Sequence, residues 1–195
     1  MCTIARLAST IRRFAIACAV ASAASLSFAQ ELIEEPAGYR TENYRAPVPA
    51  TLAGARVVTT KEAEALWRSG TAIFIDVLPR PPKPDLPEGT VWRDLPHADI
   101  PGSVWLADVG YGGLTETMER WYRDSLALLT AGDAARPLVI YCKAECWMSW
   151  NAARRAVEWG YSAVIWYPGG VDEWEAAGLP LEERTPEPRP EEPKS

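Results

Sequence analysis

From Arg56 onward, short continuous apolar runs alternate with stretches in which apolar residues recur at helical spacing. Val57–Val58 predicts a short strand, and Thr59 with Glu62 three residues later forms a capping box. Ala63, Leu66 and Trp67 then fall on one helix face, which Gly70 ends. Ala72–Val77 is a continuous apolar run broken only by Asp76, as expected of a strand buried on both faces of a parallel sheet. Leu78–Gly89 carries five prolines, which forbid helix and strand alike, and predicts a long loop. Ile100–Pro101–Gly102 is a turn into the apolar Ser103–Ala107. Gly110–Gly113 is another turn, without the Lys–Ser/Thr of a phosphate loop. Leu114, Met118, Trp121, Ser125 and Leu128–Leu129 give an amphipathic helix. Leu138–Tyr141 is a buried strand that runs straight into Cys142. A helix over Trp150–Trp159 stopped by Gly160, a strand over Ala163–Tyr167, a turn at Pro168–Gly170 and a last helix over Val171–Ala177 follow. Strands alternating with helices predict an α/β domain with a central, mainly parallel sheet flanked by helices.

The ends of the chain break this pattern. Residues 1–29 combine Arg6, Arg12 and Arg13 with a short apolar run and Ser27-Phe-Ala29 before Gln30, the layout of a secretory signal peptide. The run is too short to span a bilayer, and no later stretch is long enough either, so no stable membrane insertion is expected after cleavage. Residues 30–55 are rich in Pro and Gly without period. They read either as an extended arm anchored by Tyr39 and Tyr44 or as a flexible linker. The domain is expected over 56–183, and 184–195, rich in Pro, Glu and Arg, is expected to be a disordered tail.

Losing the first 29 residues removes three arginines and no acids, which takes the formal charge from −6 to −9. So acidic a protein is poorly suited to nucleic acid or anionic membrane. Cys2 and Cys18 leave with the leader, and the mature chain keeps Cys142 and Cys146, with three residues between them. In an oxidising compartment such a pair is a redox couple or a reactive thiol with a neighbour, not a disulfide framework.

The loop Cys142-Lys-Ala-Glu-Cys-Trp147 lies where a strand hands over to a helix, the place where ligands sit in such folds. Loop and helix-start N–H groups there favour a negative charge, and Cys142 is expected at their focus with a substantial thiolate fraction. Lys143 supports that charge and Glu145 opposes it, while Ala144, Trp147 and Met148 complete the loop. Cys146 is expected to resolve an oxidised or persulfidated Cys142, to form a disulfide with it, or to bind a metal with it. Two thiols joined only by His97 fall short of a zinc site, though they would suit Cu(I). Trp147 and Trp150 share a helix face, either packed on the sheet or forming an aromatic wall for a ligand. Arg154 and Arg155 read as solvated helix charges, His97 as exposed in a Pro-rich loop, and Asp76 and Asp99 as hydrogen-bond partners that fix loops.

Val139-Ile-Tyr-Cys142, Gly160–Tyr161 and Gly169-Gly-Val-Asp-Glu-Trp174 resemble the second half of a rhodanese domain, and Ile75–Asp76–Val77 with Asp99-Ile-Pro-Gly-Ser103 its first half. The run Cys142 to Ala153, Trp166–Tyr167–Pro168 and the arm from Gly38 to Pro49 resemble the PQQ-dependent catabolism-associated CXXCW motif proteins, here with the spacing CXXXCW. The resemblance implies a rhodanese-like fold in a periplasmic protein associated with alcohol oxidation by pyrroloquinoline quinone enzymes. It implies either sulfur transfer or thiol–disulfide chemistry through Cys142 and Cys146, or a non-catalytic module that recognises a dehydrogenase, cytochrome or transport component. No cofactor is required, and a persulfide on Cys142 is the implied covalent state. Rhodanese loops usually close with Arg, absent here, so thiosulfate should bind poorly; the usual His before Ile-Pro-Gly is Asp99.

Overall fold

A computed structural model describes residues 33–82, 84–87, 89–90 and 95–190. The expected signal peptide (1–29), the start of the arm and the last five residues of the tail lie outside the described residues. The elements run β1 (Arg56–Val57), α1 (Thr60–Ser69), β2 (Ile73–Asp76), β3 (His97–Asp99), β4 (Val104–Trp105), α2 (Glu116–Leu129), β5 (Leu138–Tyr141), α3 (Trp147–Glu158), β6 (Val164–Tyr167), α4 (Gly170–Ala176) and β7 (Glu182–Arg184). Five strands form a parallel sheet in the order β1-β6-β5-β2-β4. Strands β3 and β7 pair separately and antiparallel.

Alternation along the central strands builds two cores. Ile75, Leu138, Ile140, Val164 and Trp166 face α2 and α3, while Phe74, Val139, Tyr141, Ile165 and Tyr167 face α1 and α4. All four β5 side chains are buried, which accounts for its unbroken apolar run. Helix α1 starts as expected: Thr59 and Glu62 cap each other, and Gly70 closes it at φ 62°. No helix among the described residues is long and apolar enough to cross a membrane.

Two boundaries differ from expectation. Helix α3 begins at Trp147, three residues earlier than predicted, with Cys146 at its N-cap position. Its free N–H groups need no Ser, Thr or Asp cap, because Trp147 N donates to the Tyr44 carbonyl (2.9 Å) and the next N–H groups face the Cys146 sulfur. The segment read as a tail from residue 184 begins inside β7. It continues along the domain, with Glu187 N donating to Trp105 O (2.9 Å) and Arg189 paired with Asp108.

Candidate active site

Strand β5 delivers Cys142 to the carboxyl edge of the sheet, and the chain returns through Lys143, Ala144 and Glu145, the last at φ 52°. The return is held on both sides. Val171 N donates to Cys142 O (3.0 Å), and Ala144 N donates to Asp172 Oδ2 (3.2 Å) at the start of α4. Gly170, at φ 54°, lies so close that a Cβ would collide with the Cys142 carbonyl oxygen, so only glycine fits. On the other side Ala46 N donates to Glu145 O (3.1 Å), and Ser149 Oγ donates back to Cys146 O (3.0 Å).

The two cysteines are free thiols whose Sγ atoms lie 2.7 Å apart. That is inside van der Waals contact and short of the covalent distance of about 2.05 Å, so closure to a disulfide needs little motion. Their surroundings differ. Cys142 is 1% exposed and does not reach the cleft. Burial pushes its pKa well above the ordinary thiol range, and Cys146 and Asp76 push it further. Cys146 is 3% exposed but lines a cleft of about 680 Å³. A hydrogen bond from the Cys142 thiol outweighs burial there, and the N–H groups of Met148, Lys143 and Ser149 add to it, lowering Cys146 to about 7. This reverses the expectation for the pair. Three N–H groups meet the helix-start sulfur, and only that of Lys143 also reaches the strand-end one, because α3 starts one residue beyond Cys146.

The cleft wall is mostly apolar, with Pro79, Leu95, Trp105, Tyr111 and Met148 among its residues. Lys143, Arg45 and Arg80 bring positive charge to it. Both arginines already face carboxylates, Arg45 with Asp172 at 3.7 Å and Arg80 with Asp108 at 3.1 Å. Neither comes from the cysteine loop.

Several residues assigned bland roles from sequence prove structural or central. Trp147 and Trp150 are both buried, with rings 5.5 Å apart, and form no open wall. Their indole N–H groups donate to Pro47 O (3.0 Å) and Thr51 O (3.2 Å) of the arm. Arg154 is not a free surface charge: it donates to the carbonyls of Pro36 (2.8 Å), Ala37 (2.7 Å) and Gly38 (3.1 Å). Arg155, 4% exposed, donates to Val109 O and Gly112 O and lies 4.0 Å over the Tyr39 ring. Tyr39 donates to Glu158, and Tyr44 accepts from Gly112 N (3.0 Å), so both tyrosines tie the arm down. Carbonyls and rings of distant segments engage both arginines and bury Arg155, and no local pattern announces that.

His97 likewise leaves its expected exposed loop for β3. Its side chain is 19% exposed, edge-on to Trp105 with centroids 4.2 Å apart, and its Nε2 lies 2.8 Å from Asp76 Oδ2. Asp99 fixes its loop as expected, accepting from Ile100 N, Tyr141 OH and Ser103 Oγ at 2.7 Å each. Asp76, His97 and Asp99 each place one donor atom within 4.8 Å of the others, but Asp99 already uses both oxygens as acceptors, which fits an acid–base cluster better than a metal cage.

A model of the rhodanese-like domain matches residues 59–177, well over half the chain. No curated protein matches. Among solved structures, the chain is similar to a polysulfide-sulfur transferase homodimer from Wolinella succinogenes, at 20% identity over 67% of this chain and 80% of that one, with a TM-score of 0.42. It is similar also to a protein of unknown function from Rhodopseudomonas palustris, described as a possible tyrosine phosphatase (21% identity, 69% and 99% covered, TM-score 0.44). An uncharacterized Saccharomyces cerevisiae protein aligns at 18% identity over 64% and 93%, with a TM-score of 0.38. With its parallel sheet, its flanking helices and the family match across them, the chain belongs to the rhodanese-like domain family.

Proposed function

We propose that this rhodanese-like protein carries out thiol–disulfide exchange in the periplasm, with Cys146 as the sulfur that meets the partner and Cys142 as the buried sulfur that closes the internal disulfide. The observation that carries this reading is the pair itself, 2.7 Å apart with only Cys146 on the cleft. In the disulfide form, a substrate thiolate attacks Cys146 Sγ. A bond forms between the two, the Cys142–Cys146 bond breaks, and the electron pair leaves on Cys142, which takes up a proton. The second thiolate of the substrate then attacks its own sulfur in the mixed disulfide and releases Cys146 as a thiolate. The substrate dithiol is oxidised and the protein pair reduced. The resemblance to the CXXCW motif proteins suggests partners among periplasmic components of PQQ-dependent alcohol oxidation.

Sulfur transfer through a Cys142 persulfide has less support, since that sulfur is buried and the cleft arginines are engaged. A sulfane sulfur arriving through the cleft meets Cys146 first. Titration of the protein against glutathione redox buffers, with thiol counting, tests the exchange reading. Passage from two free thiols to none over one cooperative step is expected. Two free thiols under every oxidising condition would overturn it in favour of a binding module.

A further inference from the structure

One buried cluster lies outside the bond changes of the two sulfurs. Asp76 is fully buried at the end of β2; its Oδ1 accepts the N–H of Leu78 (2.8 Å), while Oδ2 has no hydrogen-bond partner. Facing that oxygen at 2.8 Å is His97 Nε2, itself without an aligned hydrogen bond. Each of these two atoms thus has only the other to pair with at hydrogen-bond distance, and a buried carboxylate and imidazole held so share their proton. His97 is the only histidine of the chain, and it lines the same cleft as Cys146. On its other side Asp76 stands in register with Tyr141, the residue before Cys142, and Val77 N donates to Tyr141 O (3.0 Å). The cluster therefore joins the buried end of the cysteine loop to the cleft.

We propose that Asp76 and His97 are the proton donor–acceptor couple that serves the Cys142 sulfur during thiol–disulfide exchange. The proposal rests on Cys142 and Cys146 being an exchange pair. When the internal disulfide opens, Cys142 leaves with the electron pair in a buried site that disfavours a thiolate, and the couple supplies the proton. When the disulfide closes, Cys142 attacks Cys146 in the mixed disulfide, and the couple takes the proton back. Burial raises Asp76 to about 6. Burial lowers His97, but Asp76 and Asp99 outweigh it and its pKa rises. Both shifts are upward, so the couple keeps a proton to higher pH than the separate groups would. Beside it stand Asp99 from β3 and its hydrogen-bonded Tyr141 at the end of β5; the charge of Asp76 is felt by Cys142, the next residue; around the cleft are Lys143, Arg45 and Arg80, and Arg184 of β7 is the register partner of His97.

The test is the rate at which dithiothreitol reduces the oxidised full-length protein, expressed per dithiothreitol thiolate and followed across pH. In the wild type that rate falls as pH rises through the titration of the couple. Asp76→Asn and His97→Gln each slow it at least about tenfold on the acid side, at the low end of general acid catalysis. The midpoint moves down in Asp76→Asn, where His97 loses its carboxylate, and up in His97→Gln, where Asp76 loses its cation. In the wild type, the imidazole resonance of the single histidine titrates at the kinetic midpoint, a reading that needs no variant to fold. Unchanged rates and midpoints in both variants, or a histidine titration well apart from the kinetic one, would overturn the couple while leaving the exchange pair standing. A protein that forms no disulfide at all removes both.

Discussion

The two ends of the cysteine loop have three residues between them and touch in space, yet they present opposite chemistry. The strand end places Cys142 inside the sheet, beside Asp76 and under the return of α4, where a charge is disfavoured. The helix start places Cys146 at the convergence of backbone N–H groups and on the cleft, where a charge is favoured. One sulfur is built to stay protonated and the other to ionise near neutrality. In the proposed exchange such a pair divides the work between an outer sulfur that meets the partner and an inner one that closes the disulfide. The position following a buried strand marks Cys142 as the sulfur of interest in sequence, but the backbone N–H groups that favour a thiolate gather mainly at the helix start.

The largest effect should come from separating the two sulfurs. Cys142→Ser leaves Cys146 with its N–H groups but without the inner thiol that resolves mixed disulfides, so it should trap thiol partners and small disulfide probes as stable adducts. Cys146→Ser should form adducts much more slowly at neutral pH, because burial disfavours ionisation of Cys142 and closes access to it. Mass spectrometry of the adducts decides it; equal trapping by the two variants would erase the distinction.

Next is the anchor of the strand end. Gly170→Ala forces a Cβ into the Cys142 carbonyl oxygen at a positive φ, and it should cost about 3 kcal/mol in denaturant unfolding. The same substitution at Gly178, positive in φ but with open space around it, should cost about 1 kcal/mol. A Gly170→Ala protein as stable as the wild type would mean that the α4 return does not hold Cys142.

The smallest effect concerns the buried carboxylate behind Cys142. Because the pKa of Asp76 is raised in the folded state, its favourable contribution is complete below the ordinary carboxylate range and is lost as pH rises through about 6. His97, also raised, acts in the same sense. Asp76→Asn should therefore gain stability relative to wild type by about 2 kcal/mol between acid and mildly alkaline pH, from roughly two units at 1.36 kcal/mol each with a discount for its tie to His97. Parallel stability profiles for the two proteins would contradict the burial assigned to Asp76.

Much of the fold was legible because its causes are local. The Thr59–Glu62 cap, the apolar runs of β2, β5 and β6 and the stop at Gly70 each follow from neighbouring residues. The features that escaped are satisfied from afar. Helix α3 starts early because a carbonyl from the arm, Tyr44 O, and a sulfur take the place of a capping side chain. Arg155 and His97 look like surface residues until Gly112 O, the Tyr39 ring, Asp76 and Trp105 are brought around them. Strand β7, Glu-Glu-Arg, has no apolar period and is held by main-chain pairing with β3. In the site, the cysteines and their loop were readable from spacing. Which of them ionises was not, because that depends on where the helix begins.

The proposed exchange turns on Cys146, rather than Cys142, being the ionised thiol of the reduced pair that meets the cleft. Iodoacetamide alkylation of the reduced wild-type protein across pH, with the modified cysteine located by peptide mass mapping, tests it directly. Cys146 is expected to be modified first, with a rate that rises through a midpoint near 7, while Cys142 stays unmodified until the protein is unfolded. Preferential labelling of Cys142 in the folded protein, at any pH at which Cys146 remains free, would contradict it.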